Sequence, residues 1–409
     1  MSRVQIPLPA PKTKIIKNRT FRFPEEVSKI IDGIVGGWKR DFLLPLARAS
    51  FELAEIFHRG ENFPLNLQTV LPYIYYFFPR TFSSALFVLS SVEDIIRDIL
   101  NRRMNEKRDL IFIDLSAGVC SASSAFIYLL DFIARENKIL QDLKIRLVVQ
   151  DISDVALDFG LKILHQISKN VPFNLEFEKM VLDASRINIK KEIGENPDIA
   201  VLSFSLYDIF HTDVDAMIVW SDKVLKSVSD YGIFVLIEPA LKKRNSFFIM
   251  KIRDALREYV VAPCTHYDDC PILKIQDDWC HFGTKWIPPL SLSRGMSLIG
   301  GRIPEINFSY LILSKNKEFS RWVNFHRVVS HKLEEKGRIR FWTCSSSGKN
   351  LFQILKKNIG DKNSDIEYVQ SGDVVFIDDV KSRDNFYEFE GNSNLKIINS
   401  LFSLKFFER

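Results

Sequence analysis

Three of the five cysteines in this 409-residue chain fall within seventeen residues, at Cys264, Cys270 and Cys280 in PCTHYDDCPILKIQDDWCHF, and another, Cys344, stands downstream in RFWTCSSSGK. Four soft ligands are enough for one metal centre: thiolate suits zinc, copper(I) or an iron–sulfur cluster, and both tetrahedral zinc and cubane clusters take four cysteines. Structural zinc sites usually draw on C-x2-4-C knuckles. Here the gaps are C-x5-C-x9-C with a remote fourth cysteine, which favours a cluster. Two plainer explanations stay open. Free cysteine is among the most buried residue types, so scattered core cysteines are the ordinary outcome; against that, a segment that also holds Pro263, Pro271 and four aspartates is not one apolar face. A disulfide is the other, opposed by an odd cysteine count and by the lack of a recognisable signal peptide.

The elements that must position these residues change period along the chain. From Pro24 the spacing of Val27, Ile30, Ile31, Ile34 and Val35 predicts a helix face, and FLLPLARASFELAEIF and SSALFVLSSVEDIIRDILNRR extend a helical domain over 25–107. The aromatic run YIYYFFPRTF between them reads as a turn tucked between helices, with an RNA stacking platform as the alternative. DLIFIDLSAGVCSASSAFIYLLDFIAR then gives a buried strand, a small-residue turn and a helix from about Ser121. KIRLVVQD with VALDFGLKILHQI repeats the unit, and PDIAVLSFSL and YGIFVLIEP add strands around MIVWSDKVLKSV. This alternation predicts an α/β fold with a doubly wound parallel sheet over 108–262. The cysteine segment would fill 263–314. INFSYLILSK, RVVSHKLEE, RIRFWTC and DIEYVQSGDVVFIDD read as short strands, so a small β-rich domain is expected over 315–409. A ligand such as Cys344 from that domain would staple it to the sheet.

Ligands bind such sheets at the carboxyl ends of the strands, beside the turn after the first one. In DLSAGVCSA, Asp114 ends that strand, Ser116 and Gly118 let backbone come close to a ligand, and the next helix offers free amides. Asp151, closing the second strand, stands where a carboxylate could take both hydroxyls of a ribose; Asp183, expected to close a third, would sit near a base. Lys242, Lys243 and Arg244, just past a strand end, could hold phosphates or face water. No residue declares itself as a catalytic acid, base or nucleophile.

Composition bounds the rest. Apolar residues at 46% and charged residues at 26% describe a folded globular protein, and no apolar run is long enough to span a bilayer, so no membrane partner is expected. The net charge of +5 permits a polyanionic partner without requiring one. Its placement says more: before Glu25 the chain carries Arg3, Lys12, Lys14, Lys17, Arg19 and Arg22 and no acidic residue, a basic arm over 1–24 that is either an RNA-contacting or a solubilising tail. Pro7, Pro9 and Pro11 oppose the amphipathic helix of an import presequence, which makes the cytoplasm the expected compartment and the mitochondrial matrix the alternative.

PCTHYDDCP with DDWCHF, NFSYLIL, RVVS and a cysteine followed by GK together resemble the mitochondrial small-ribosomal-subunit methyltransferase-like proteins and their bacterial relatives. Upstream, YIYYFFPRTFSSALFVL is similar to that family's Y…P-x-T-y helix entry, DLSAGVCSA to its D-x-G-x-G-x-G-T-A turn, QDIS to its acidic second-strand end and LIEPA to its E-P-G strand end. The resemblance spans about residues 70 to 375. It implies a class I S-adenosylmethionine-binding, Rossmann-like fold, a four-iron, four-sulfur cluster on Cys264, Cys270, Cys280 and Cys344, and work on the small ribosomal subunit and its rRNA, with the protein a monomer away from the ribosome. Gly118 and Asp151 would hold S-adenosylmethionine. The chain departs from the pattern where Ser116 and Cys120 replace two of three glycines and Ala240 replaces the glycine after Glu238 and Pro239. Three readings follow: an rRNA methyltransferase, an assembly factor that binds immature small subunits without turnover, and a zinc-stabilised α/β protein of unrelated function.

Overall fold

The computed structural model describes residues 20–37, 39–61, 63–137, 143–240, 244–320 and 322–402. The first helices are α1 (Glu25–Ile34), α2 (Arg40–Arg59), α3 (Val70–Tyr76), α4 (Phe78–Ser90) and α5 (Glu93–Glu106). Their apolar stripes turn inward: Val27 and Ile31 of α1 and Leu43, Ala47 and Leu53 of α2 are buried. Within the aromatic run, Tyr75, Phe78 and Phe82 are wholly buried, so it is packing for the helical layer. The basic arm up to residue 19 and Lys242 and Lys243 lie outside the described residues, as does the side chain of Arg244.

The main sheet is built from β1 (Leu110–Leu115), β2 (Lys144–Asp151), β3 (Asn174–Val181), β4 (Ile199–Ser203), β5 (Ile233–Pro239), β6 (Val260–Ala262) and β7 (Ile306–Leu313). Its spatial order is β3-β2-β1-β4-β5-β7-β6, with Phe282–Thr284 also paired to β7. The first five strands run parallel and β7 runs antiparallel between β5 and β6. This is a doubly wound class I methyltransferase-like sheet. LIFIDL is buried at every position because a central parallel strand is covered on both faces. One face is covered by the first helices together with α6 (Ser121–Asn137) and α7 (Asp154–Ile167), the other by α8 (Val214–Ser227) and α9 (Arg244–Ala255). A buried ion pair ties the helical layer to the sheet: Arg103 Nη2 lies 2.6 Å from Asp198 Oδ1, and Asp198 Oδ2 also accepts from the Ile111 amide at 3.0 Å.

Two expectations are corrected here. INFSYLIL, read together with the C-terminal strands, is β7 of the main sheet; nearly all its residues are buried, as a strand between two neighbours requires. DIEYV is not a strand; Ser364–Glu367 is a short 3-10 turn.

The C-terminal strands are β8 (His326–Val328), β9 (Arg338–Ser345), β10 (Gly348–Leu355), β11 (Val374–Ser382) and β12 (Tyr387–Asn399). They close a ring: β8 pairs with β9 and β11, β9 with β10, β10 with β12 in parallel, and β12 with β11. Numbered within the ring this is 1-2-3-5-4-1, the five-stranded Greek-key barrel of the OB fold. Ile339, Phe341, Phe352, Ile354 and Phe389 fill its interior.

Candidate functional site

The turn after β1 is left-handed at three alternate positions, Ser116 (φ +50°), Gly118 (φ +52°) and Cys120 (φ +59°). These are the three places where the resembled pattern has glycine. The backbone shape therefore survives the loss of two glycines, each side chain in that region costing about 1 kcal/mol or more. Cys120 is accommodated from the other side: a Cβ on Gly160 of α7 would stand 2.4 Å from Cys120 Sγ, so the bare glycine makes the room that the thiol fills.

The turn is laced to the end of β2. Ser116 N donates to Gln150 Oε1 (3.1 Å), Ala117 N to Gln150 O (2.8 Å) and Gly118 N to Asp151 Oδ2 (2.8 Å), while Asp151 Oδ1 accepts from Ser153 N (2.8 Å). A carboxylate has about four lone-pair sites, so Asp151 retains acceptor capacity after both amides. Asp114 Oδ2 accepts from the amide and hydroxyl of Ser123, but its Oδ1 is buried without a partner, and burial pushes this carboxyl up to about 7. Asp114, Ser116, Gly118 and Asp151 thus converge on one turn. Asp183 is set apart: β3 ends at Val181, and Asp183 caps the next turn through the amide and hydroxyl of Ser185. Glu238 is buried and accepts from the amides of Ser205 and Leu206 and from Asn245 Nδ2, which leaves it a positioning group for the loop after β4.

Sequence reasoning missed the residue lying over this turn. Leu65 Cδ1 sits 3.6 Å from where a Gly118 Cβ would be, and the Ser153 hydroxyl donates to Leu65 O. The signal that could have found it is faint: Asn66 and Thr69 in PLNLQT form a local turn with Gln68 N donating to Asn66 Oδ1 (2.9 Å) and Thr69 Oγ1 to Pro64 O (2.6 Å), which holds the Leu65 strap in shape.

The second site gathers the cysteines. Cys264 follows β6, Cys270 opens a 3-10 turn with its amide on Asp254 Oδ1 (2.7 Å), Cys280 O accepts from Ser309 Oγ of β7 (2.6 Å), and Cys344 projects from β9 of the barrel. All are free thiols. Burial, then the neighbouring Cys264, pushes Cys270 up to about 11; Cys280 and Cys344 are raised by burial and then by Cys264 and Cys270. The four sulfurs therefore share one electrostatic neighbourhood. Among the described residues, however, no three His, Cys, Asp or Glu side chains are gathered tightly enough to hold one metal ion.

Two nitrogen donors face these sulfurs, and neither was read from the sequence. Arg253 of α9, only 2% exposed, donates from Nε to Cys264 Sγ (3.3 Å) and from Nη2 to His266 O (2.6 Å), and the same Nη2 lies 3.3 Å from His266 Nδ1. A guanidinium has no acceptor, so Nδ1 accepts and the neutral ring carries its proton on Nε2, which faces Cys344 Sγ at 3.8 Å. Burial and then the Arg253 charge hold His266 down at about 4, in keeping with a neutral ring. Arg327 of β8 ties the barrel to the same segment, donating from Nε to Pro263 O (2.7 Å) and from Nη1 to Gly372 O (2.6 Å).

Over residues 70–375 the sequence matches the family described as mitochondrial small ribosomal subunit Rsm22. The chain belongs to the Rsm22 family. The matched span runs from α3 into β11 and takes in the turn after β1 and all four clustered cysteines. No curated protein matches this Rsm22-family chain. Among solved structures it is similar to YjhP from E. coli (17% identity, 32% of this chain and 43% of that one, TM-score 0.21). It is also similar to the glycopeptide N-methyltransferase MtfA complexed with S-adenosyl-L-methionine (16%, 34% and 48%, 0.23) and to a class I S-adenosylmethionine-dependent methyltransferase from Listeria monocytogenes (10%, 58% and 79%, 0.30). The chain spans less than half the length of the first two. TM-scores this low carry no argument about activity; the fold stands on the strand order above.

Proposed function

We propose that this Rsm22-family protein acts on the small ribosomal subunit during its assembly, using its sheet as an S-adenosylmethionine module and Cys264, Cys270, Cys280 and Cys344 as the ligands of an iron–sulfur cluster. The observation that carries the reading is that four thiols, three in the segment after β6 and one on the barrel, lie close enough for Cys264 and Cys270 to weigh on Cys280 and Cys344 in a chain of this family. One tetrahedral zinc would need its sulfurs about 3.8 Å apart, from Zn–S bonds of about 2.3 Å. In a cubane each cysteine binds a different iron, which spreads the sulfurs wider and suits this looser gathering better.

The chain's residues also fit the nucleoside cofactor. Gly118 and Ser116 keep the turn open to a close approach, Asp151 has acceptor capacity left for ribose hydroxyls, and the orphaned Asp114 Oδ1 is one more acceptor at the same turn. Asp183, at the next turn, would line the far side. S-adenosylmethionine supplies an electrophilic methyl group when bound; Asp151 and the turn would bind and orient it, and methyl transfer belongs to the reading only if that binding occurs. The family's description favours the mitochondrial matrix over the cytoplasm. The arm, Lys242, Lys243 and Arg244 would meet rRNA phosphates. Such contacts release counterions, so association with immature small subunits should weaken steeply as salt rises; deletion of residues 1–19, which spares the buried Phe21 and its pairing with Trp286, should flatten that dependence without unfolding the protein. Sedimentation of the protein with small subunits across a salt series tests this. A protein that sediments alone at low salt, or binding that ignores salt, sinks the ribosomal reading.

The donors at the cysteines give a separate expectation. Arg253 places a positive charge and an N–H against Cys264 and fixes the His266 tautomer that faces Cys344, and both favour the more negative, reduced state of a cluster. Arg253→Gln should lower the midpoint potential by about 59 mV or more, a tenfold shift for one electron, and His266→Phe by less. Potentiometric titration followed by electron paramagnetic resonance reads both. Unmoved midpoints with iron intact would reduce the two residues to packing.

A further inference from the structure

The carboxyl edge of the sheet brings together acids from several strand ends and one tyrosine of the helical layer. Thr69 ends the strap around Leu65 and opens α3, where Tyr73 N donates to Thr69 O (3.0 Å). The Tyr73 ring stacks on Phe77 with centroids 4.9 Å apart and stands 6.2 Å from Phe63, so the residues on either side of the strap are pinned together beside the turn that Leu65 touches. Phenylalanine would serve this packing as well. What tyrosine adds is a hydroxyl, and it makes no hydrogen bond among the described residues. Its surroundings are carboxylates: burial, then Asp208, Asp151 and Asp114 in that order, hold the phenol well above its ordinary value and so protonated. Asp114 and Asp151 stand at the ends of β1 and β2, and Asp208 lies in the short helix Leu206–Phe210 after β4, so one hydroxyl is in range of three strand ends. The loop after β4 also meets the turn after β1 directly, Ser205 Oγ donating to Ser116 O (3.4 Å).

This crevice is short of positive charge. The influences that weigh most on Asp114, Asp151 and Glu238 are burial, hydrogen bonds and other acids, Asp208 among them, and no lysine or arginine of the described residues forms an ion pair with any of the three. The acids are not gathered tightly enough for a metal ion, since among the described residues no three His, Cys, Asp or Glu side chains close on one point. An organic cation with a longer body suits them better. We propose that Tyr73 and Asp208 read the charge on the cofactor: the Tyr73 hydroxyl and the Asp208 carboxylate face the methyl-bearing sulfonium, and the protein holds S-adenosylmethionine in preference to S-adenosylhomocysteine, the neutral thioether left when the methyl is gone. The inference rests on the S-adenosylmethionine reading of the turn after β1 and adds the ceiling of that site, which the helical domain supplies. The two ligands differ by one methyl group and one positive charge. With acids around it, the hydroxyl gains most by donating to one of them, which turns its lone pairs toward the polarised C–H bonds of the methyl. The neutral product loses that contact and the attraction of Asp208, so used cofactor leaves more readily than fresh.

The test is isothermal calorimetry on full-length protein purified without oxygen, with S-adenosylmethionine, S-adenosylhomocysteine and sinefungin, which carries an ammonium where the cofactor has its methyl sulfonium. Wild type should bind S-adenosylmethionine about tenfold more tightly than S-adenosylhomocysteine, and sinefungin should side with the charged ligand. Tyr73→Phe should weaken S-adenosylmethionine by about three- to fivefold. Asp208→Asn should weaken it by about fivefold or more, and both variants should leave S-adenosylhomocysteine within about twofold of wild type. A loss of packing would lower both ligands together, so the ratio separates the two explanations. Tyr76→Phe is the control: the Tyr76 hydroxyl meets Arg80 Nη2 instead (3.4 Å), and its removal should alter neither affinity. S-adenosylhomocysteine bound as tightly as S-adenosylmethionine by the wild type overturns the proposal, and so do variants whose losses are absent or equal for the two ligands. A wild type that binds none of the three ligands takes the cofactor reading down and this inference with it. A wild type that binds them while Tyr73→Phe and Asp208→Asn behave alike with it removes this inference alone and leaves the turn after β1 as the site.

Discussion

Serine at Cys264, Cys270, Cys280 or Cys344, one position at a time, should empty the proposed metal centre, while serine at Cys120 should leave it full. Purified without oxygen, the wild type should be brown and carry iron and acid-labile sulfide in equal amounts, and each of the four variants should lose essentially all of both. The reason is charge as well as ligand count. With Cys264 and Cys270 raising the cost of ionising Cys280 and Cys344, on top of their burial, four thiolates persist together only against a metal's positive charge, and a hydroxyl is a poor substitute at any corner. Cys120 is wholly buried against Gly160 of α7, in the turn after β1 and not in the cysteine segment. Cys344→Ser should do more than the rest. It cuts the only candidate ligand on the barrel, leaving contacts such as Arg327 to Pro263 O and Lys349 to Asp278 to hold it, so limited proteolysis between β7 and β8 should speed up. Colourless wild type with stoichiometric zinc would sink the cluster, and iron retained in Cys344→Ser would remove that residue from the ligand set.

What could be read from the sequence follows the range of the interactions involved. The strand from Leu110, the helix from Ser121, the strand ending at Asp151 and those at Ile199 and Ile233 were legible because a buried parallel strand writes a continuous apolar run and its helix a 3.6-residue stripe. The partner of a strand is not written locally. Ile306–Leu313 has the same apolar character as the others, and only the pairing with Ile233–Pro239 tells it from a barrel strand. The cysteines were conspicuous by type and spacing, but Arg253 and His266 belong to an ordinary-looking helix and a loop, and their role comes from a fold that lays one against the other. Ser116 and Cys120 looked like damage to a glycine turn. Their left-handed backbone shows that shape outlasted composition, with Gly160, forty residues on, absorbing the change. The barrel's closure was beyond reading, since β8 meets both β9 and β11.

S-adenosylmethionine binding should be lost outright in Gly118→Val and weakened by about ten- to a hundredfold in Asp151→Ala. Gly118 has φ +52°, where a β-branched side chain is a true outlier, and its Cβ would start 3.6 Å from Leu65 and fill the approach to the turn. Asp151→Ala removes acceptors that hydrogen bonds to a charged group make worth about 1.5 to 3 kcal/mol. The same change strips the Gly118 and Ser153 amides of their partner, so a fall in melting temperature is expected with it, and Asp151→Asn, which keeps an acceptor, should recover most of the stability but less of the binding. Two variants should move the other way. Ser116→Gly relieves a left-handed serine, and Leu65→Ala thins the strap over the turn; each should hold or improve affinity if Leu65 is what a cofactor must displace. Isothermal calorimetry on metal-loaded protein reads all five. No heat from the wild type would retire methyl transfer and leave a binding-only assembly factor, while equal affinity in Gly118→Val and Asp151→Ala would mean that the cofactor lies somewhere other than the turn after β1.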